Sequence, residues 1–173
     1  GFGGSCFKKD ILNLVYLSGY FGLPEVANYW NQVVILNTWQ QDRIYKIVLE
    51  KLFGTVNGKN IAILGFSFKA NTNDTRESPA IRIASDLLEE GALLSIYDPK
   101  VSFQRIKEDL EKFSSNNQGS WQMASSIPDA LNNVDAVLIL TAWDEFFGLD
   151  WNYLASLMRS PAWVFDTRSV VNR

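Results

Sequence analysis

Hydrophobic positions take two textures along the chain. Over roughly residues 5–53 they recur at helical spacing: Phe7, Ile11, Leu14, Val15 and Leu17 form one stripe, which Gly22 stops. Pro24 then stands where a first helical turn tolerates a residue without an N–H. Val26, Tyr29, Trp30, Val33, Leu36 and Asn37 carry the pattern on, through "VVILNTWQQDRIYKIVLEKLFG", to Gly54. A helix from Pro24 to Phe53 would be about 45 Å long at ~1.5 Å per residue. Its apolar residues crowd more than one face, so it is expected to span between domains or to pack on a second subunit.

After a turn at "NGKN" the pattern changes to short apolar runs alternating with helices. "NIAILGFSF", "ALLSIYD", "DAVLILT" and "AWVFDT" read as buried strands, and "SWQMA" as a short fifth. Between them lie helical patterns at Ser78–Glu90, with Pro79 in the first turn and Gly91 as stop, and at Phe103–Phe113, Ile127–Asn133 and Trp151–Met158. The polar run "SSNNQGS" reads as a loop. Continuous apolar strands alternating with helices predict an α/β fold: a doubly wound, Rossmann-like parallel sheet over residues 55–173, preceded over residues 1–54 by the cysteine-bearing loop, a first helix and the long central helix.

Composition narrows the function. With 173 residues, 47% of them hydrophobic, the chain can bury a proper core. A net charge of -3 with no basic face argues against nucleic acid or a membrane surface as partner. One cysteine forbids an internal disulfide and fits a reducing, cytoplasmic setting. The absence of histidine removes His-based triads, and no metal site is expected, because Cys6 alone cannot build one. No apolar run is long enough to span a bilayer, and the start lacks a signal pattern. The chain opens on a dense glycine motif without an initiator methionine, as expected for a piece of a longer protein.

The single cysteine sits in "GFGGSCFKKD". Glycines at 1, 3 and 4 let the backbone approach a bound group closely. A helix beginning near Ser5 puts Cys6 in the first turn, where unpaired N–H groups and the macrodipole favour a thiolate. Lys8 and Lys9 add positive charge, and Asp10 follows one turn later on the same face. These residues equally fit a half-buried cysteine at a helix start beside a solvated charge pair. A second constellation is "GFSFKANTNDTRES", a polar loop after the first strand, where open parallel sheets bind ligands. Lys69 and Arg76 suit anionic oxygens there, although a charged surface loop reads the same way. The fingerprint GxGxxG is absent after this strand. Asp98 stands where such folds place a ribose-binding acid, yet Pro99 equally suits a plain turn. Asp166 and Arg168 fall at a late strand end on the same sheet edge as Lys69, and Trp143, after another strand end, reads as a packing residue.

Taken together, "GFGGSCFKKD", "GFSFKANTNDTRESPA", "YDPKV", "LTAWDEF" and "VFDTR", in this order, resemble the nucleotide-sugar dehydrogenase family over essentially the whole chain. The resemblance implies oxidation of the C6 alcohol of UDP-glucose to UDP-glucuronate in two hydride transfers to NAD. Cys6 would carry a thiohemiacetal and then a thioester, with Asp10 assisting the water that hydrolyses it. By the same resemblance Gly1, Phe2, Gly3, Phe7, Phe68, Lys69 and Arg168 are substrate-binding, Lys9 and Arg76 face the cofactor, and the long helix pairs two subunits into a homodimer. The chain departs from the family at Lys8, where Pro or Gln is usual, and at Thr167, where members read "FDGR". The family's NAD-binding first domain is absent, so the piece alone is expected to be inactive. Alternatives are a sister dehydrogenase for GDP-mannose or a UDP-N-acetyl sugar, a non-catalytic nucleotide-sugar-binding or dimerisation module, and a stand-alone thiol enzyme. The last lacks a histidine to activate the cysteine.

Overall fold

The computed structural model describes residues 1–113 and 118–171. Two helices lead, α1 (Phe7–Tyr20) and α2 (Pro24–Lys51), packed on each other. Between them Gly22 takes φ 72°, a left-handed conformation that side chains with a Cβ resist. There the N–H groups of Gly22 and Leu23 donate to the carbonyls of Gly19 (3.1 Å) and Ser18 (2.9 Å). The 28 residues of α2 make a rod about 42 Å long. Only its last third meets a core: Val48 is fully buried, with Ile44, Tyr45 and Leu49 beside it. Ile35, Leu36 and Trp39 stay 50%, 62% and 53% exposed, which is why the sequence shows apolar residues on more than one face.

The remainder alternates as the pattern predicts: β1 (Asn60–Leu64), α3 (Pro79–Glu89), β2 (Leu93–Tyr97), α4 (Phe103–Phe113), β3 (Ser120–Met123), α5 (Ile127–Leu131), β4 (Ala136–Ile139), α6 (Trp151–Leu157) and β5 (Trp163–Asp166). The five strands form one parallel sheet in the order β3-β2-β1-β4-β5. Side chains of alternate parity feed two cores. Ile61, Ile63, Ile96 and Leu138 pack on one face with α3 and α4, while Ala62, Leu64, Val137 and Ile139 pack on the other with α5 and α6. Burial on both faces explains the unbroken apolar runs of β1 and β4. The α5 helix stops at Leu131 rather than Asn133, because Asn133 turns left-handed (φ 61°) and donates its N–H to the Leu157 carbonyl. A 3₁₀ turn at Asp144–Phe146 has no counterpart in the sequence reading. Of the loop expected over 114–120, residues 114–117 lie outside the described residues. No helix among the described residues is long and apolar enough to cross a membrane.

Strand order reverses beside β1, which has β2 on one side and β4 on the other. In doubly wound sheets the ligand crevice opens beyond the carboxyl ends of strands at such a point.

Candidate functional site

At that point the backbone turns sharply. Gly65, φ 90°, follows β1 directly against Thr141, which follows β4, and any Cβ on Gly65 would run into Thr141. The loop that begins here, residues 65–78, is fixed at both ends. Asp98 at the end of β2 is 2% exposed and gathers donors from three segments. Its Oδ2 accepts from Phe66 N (2.7 Å), Ser67 N (3.0 Å), Ser67 Oγ (3.3 Å) and Trp143 Nε1 (3.2 Å), and its Oδ1 from Lys100 N and Val101 N (both 2.9 Å). At the far end Ser78 caps α3 by accepting from Ala80 N, and donates its hydroxyl to the Phe66 carbonyl (2.8 Å).

Against this loop rests the glycine segment that carries the cysteine. Gly4 N donates to the Arg76 carbonyl (2.9 Å). A Cβ on Gly4, at φ 89°, would lie 2.8 Å from the Phe68 ring, and one on Gly3 would strike the Glu77 carbonyl. On the other side Phe2 exchanges two hydrogen bonds with Asn37 of α2: Phe2 N to Oδ1 (2.7 Å) and Nδ2 to the Phe2 carbonyl (3.1 Å). Glycine is therefore required at these positions by the closeness of loop 65–78, and the cysteine loop sits between that loop and α2.

The expected site residues distribute as follows. Cys6 is exposed and stands one place before α1 begins, with its carbonyl accepting from Asp10 N (2.9 Å). This corrects the expectation that it lies inside the first turn. Ser5 Oγ lies 3.7 Å from the sulfur, and Asp10 is exposed one turn later. Phe7 is 55% exposed and sets its ring edge against Phe2, centroids 4.6 Å apart. Phe68 lies under Gly4, and the Lys69 ammonium stands 5.4 Å from the Phe68 ring. Arg76 presents its guanidinium outward, paired with Asp74 (2.8 Å), whose carboxyl this hydrogen bond holds below the usual range. It faces a polar cavity of about 660 Å³ lined also by Thr72, Asn73, Lys100 and Arg105. Arg168, after β5, is half-buried with Nε on the Leu140 carbonyl (2.6 Å), and burial lowers its guanidinium from the ordinary value. It lies close enough to Gly1 for its charge to be felt there. The Thr167 hydroxyl donates to the Ile139 carbonyl (2.7 Å), which anchors the turn before the arginine without the usual glycine. Gly1, Phe2, Gly3, Cys6, Phe7, Phe68, Arg76 and Arg168 are thus brought to one end of the sheet. Lys9 is exposed on α1 and makes no bond to these residues among those described.

The ribose-acid reading of Asp98 fails, because a carboxylate with both oxygens engaged and almost no exposure has nothing left for a sugar hydroxyl. The β1–α3 connection likewise offers no dinucleotide cradle. Its glycine is consumed by Thr141, and the space beyond is filled by Phe66, Ser67 and Trp143. Residues of this sheet therefore do not fit NAD in the usual doubly wound manner; what the chain offers toward such a group is Arg76, already paired with Asp74, and the exposed Lys9. Sequence reasoning missed Asn37, Glu77 and Thr75 as site partners. Of these, only Asn37 left a signal, as a lone amide inside the apolar run "VVILNTW".

Residues 62–173 match the family model described as UDP-glucose/GDP-mannose dehydrogenase family, UDP binding domain. Among curated relatives, UDP-glucose 6-dehydrogenase of Drosophila melanogaster is 47% identical over 177 residues, covering 99% of this chain and 37% of that one. UDP-glucose 6-dehydrogenase 2 of Oryza sativa subsp. japonica is 45% identical over 185 residues, covering 99% and 38%. Among solved structures, a UDP-glucose dehydrogenase from the archaeon Pyrobaculum islandicum superposes with a TM-score of 0.75 at 30% identity, over 98% of this chain and 35% of that one. The chain spans under two fifths of the length of the curated relatives it matches.

Proposed function

Because this chain belongs to the UDP-glucose/GDP-mannose dehydrogenase family and carries its UDP-binding domain, we propose that it supplies the covalent and sugar-anchoring half of a UDP-glucose 6-dehydrogenase. The observation that carries the reading is the docking of the Cys6 loop on loop 65–78 through Gly4 N and the Arg76 carbonyl. It joins a nucleophile to a nucleotide-sugar anchor in one rigid piece.

In this reading Phe68, Phe7 and the Gly1–Gly3 backbone hold the sugar nucleotide, while Lys69 and Arg168 meet its anionic and hydroxyl oxygens. NAD, held by a part of the enzyme outside this chain with Arg76 and Lys9 toward it, accepts the two hydrides when bound. Cys6 sulfur adds to the C6 aldehyde, forming a C–S bond while the carbonyl oxygen takes a proton. Loss of a hydride from that carbon together with the hydroxyl proton leaves a thioester, and water attacks its carbonyl carbon, breaking the C–S bond and returning the thiol with a free carboxylate. Asp10, one turn from Cys6, orients that water or takes its proton. The exposed apolar face of α2 (Ile35, Leu36, Trp39) supports pairing of two copies into a homodimer, and the single cysteine fits a reducing, cytoplasmic setting.

The test is mass spectrometry of the complete enzyme quenched in mid-turnover. A uronyl adduct on Cys6 is expected, together with near-total loss of NADH formation in Cys6→Ser. Full activity in Cys6→Ser overturns the reading. Titration of the folded chain with UDP and with GDP separates the sugar-nucleotide classes: saturation by UDP with weaker binding of GDP is expected, and the reverse order selects the GDP-mannose branch.

A further inference from the structure

Behind the carbonyl platform that holds the cysteine loop lies a buried polar cluster that the proposed chemistry does not use. Thr75 is fully buried between the exposed or half-exposed residues 71–74 and 76–77 of the loop. Its hydroxyl bonds to Asp109 Oδ2 and accepts from Arg105 Nε (2.7 Å). Arg105 and Asp109 also pair directly, Nε to Oδ2, at 3.1 Å. Asp109 is 5% exposed on the face of α4 that otherwise buries Ile106 and Leu110. A carboxylate set into such a stripe is costly unless it is paired and hydrogen-bonded, so a leucine would serve packing better. The cluster must therefore do something that an apolar contact cannot, and its partner, Thr75, says what.

Thr75 directly precedes the two residues on which the cysteine loop rests. The Arg76 carbonyl receives Gly4 N (2.9 Å). Glu77, at φ 55°, sits in the left-handed region unfavourable to a side chain; it sets its carbonyl under Gly3 and binds Lys8 through its carboxylate (2.7 Å). Thr75 also gives its own carbonyl to Ser78 N (2.9 Å), so the strained turn is closed on both sides of Arg76 and Glu77. A strained turn persists only when its surroundings over-determine it. Here α4 does so, from below, through one hydroxyl.

We propose that Asp109 and Arg105 are positioning residues for Cys6, acting through Thr75 to fix the height and orientation of the Arg76–Glu77 platform that holds Gly4 and Lys8. Their link to catalysis rests on the reading of Cys6 as nucleophile; the mechanical coupling does not. Both side chains act from α4 beneath Thr75, and the cysteine they serve stands just before another helix, α1.

The experiment is amide hydrogen exchange on the 173-residue chain, following the segment 2–8, with Thr75→Val, Thr75→Ser, Asp109→Ala and the Thr75→Val/Asp109→Ala double variant. Thr75→Val keeps the volume and loses the hydroxyl, whereas Thr75→Ser keeps the hydroxyl. Exchange at Gly4 is expected to rise about ten-fold in Thr75→Val and in Asp109→Ala, and to return to the parent rate in Thr75→Ser, with Ile61–Leu64 unchanged. The double variant is expected to match the single ones, because both act on one contact. An unchanged Gly4 rate in Thr75→Val, an equal rise in Thr75→Ser, or additive effects in the double variant overturn the proposal. Asp109→Ala reaches the same amides from α4 should Thr75→Val fail to fold. In the complete enzyme, Thr75→Val should lower kcat about ten-fold with KM for the nucleotide sugar little changed, and Thr75→Ser should restore it. A raised Gly4 exchange with kcat unchanged removes the catalytic link alone, whereas failure of the nucleophile reading shows separately in Cys6→Ser.

Discussion

Asp98→Asn probes the point on which loop 65–78 hangs. The carboxylate is 2% exposed and accepts, on its two oxygens, from Phe66 N, Ser67 N, Ser67 Oγ, Trp143 Nε1, Lys100 N and Val101 N. Asparagine has the same shape but only one acceptor oxygen. With that oxygen toward Phe66, Ser67 and Trp143, its amide N–H groups confront the N–H groups of Lys100 and Val101. Flipped, they confront the other set. At least two donors lose their acceptor either way, at about 1–3 kcal/mol each, and the charge that strengthened the remaining bonds is gone. The expected loss is about 3–5 kcal/mol, or a fall in Tm of roughly 10 °C for a chain of this size. Urea unfolding followed by circular dichroism measures the first. The Trp143 Nε1 proton, resolved by NMR from the other indoles of the chain, reports whether this side chain leaves its partner. A loss below about 1 kcal/mol with the Trp143 Nε1 resonance unchanged would refute the hub assignment, and with it the claim that this acid is too occupied to serve a ribose.

Gly4→Ala places a Cβ 2.8 Å from the Phe68 ring at φ 89°, and should cost about 1–3 kcal/mol and weaken UDP binding about ten-fold by calorimetry; unchanged affinity counts against the docked loop. Arg168→Lys keeps the charge but loses the Nε–H that donates to Leu140 O and the planar fork beyond it, so UDP affinity should drop several-fold with the unfolding free energy from urea titration held within ~0.5 kcal/mol of the parent. Asp86 of α3 is pushed up to about 6 by burial, against the pull of Arg82 and with Asp42 and Glu89 adding to the rise. The folded state thus binds the proton more tightly than the unfolded chain. That contribution is complete below the ordinary value of 3.8 and is lost as pH rises through about 6. At about 1.4 kcal/mol per pH unit the full effect is ~3 kcal/mol, reduced to about 1–2 because the side chain is 30% exposed. Asp86→Asn should therefore stabilise the chain at pH 7 and flatten its stability between pH 4 and 7; parallel curves for parent and variant sink the assignment.

The sheet was legible because its signal is local. Ile61, Ile63 and Leu64 sit in a run whose every residue is buried, and no partner needs to be known to see a strand there. Glycines announced turns for the same reason: Gly22 and Gly91 act on their own backbone. The site was legible only as a pair of motifs. That Gly4 meets Arg76, that Phe2 meets Asn37, and that Asp98 answers to Trp143 are facts about residues 35 to 72 positions apart, which periodicity does not carry. Asp98 misled for a related reason. Its place after β2 fits a ribose acid in any doubly wound sheet, and only the closure of Trp143 and loop 65–78 over it decides otherwise.

That closure also explains where the chemistry sits. A doubly wound sheet ordinarily leaves its switch point open for a ligand. Here the chain fills that opening with itself: Thr141 blocks Gly65, and Phe66, Ser67 and Trp143 occupy the space above Asp98. In the proposed function, ligand binding is displaced outward to the surface of loop 65–78, where Phe68, Lys69 and Arg76 stand and the glycine segment lies against them. In that proposal the nucleophile, held just before α1, meets a ligand on that outer surface rather than one seated inside the crevice. Filling the crevice and delivering the cysteine from a separate helix are therefore one solution. Opening the crevice with Trp143→Ala should loosen Phe68 and Gly4 together, visible as faster exchange of both amides while β2 keeps its protection. Faster exchange at Phe68 with Gly4 unmoved would mean that the two loops are neighbours without being coupled.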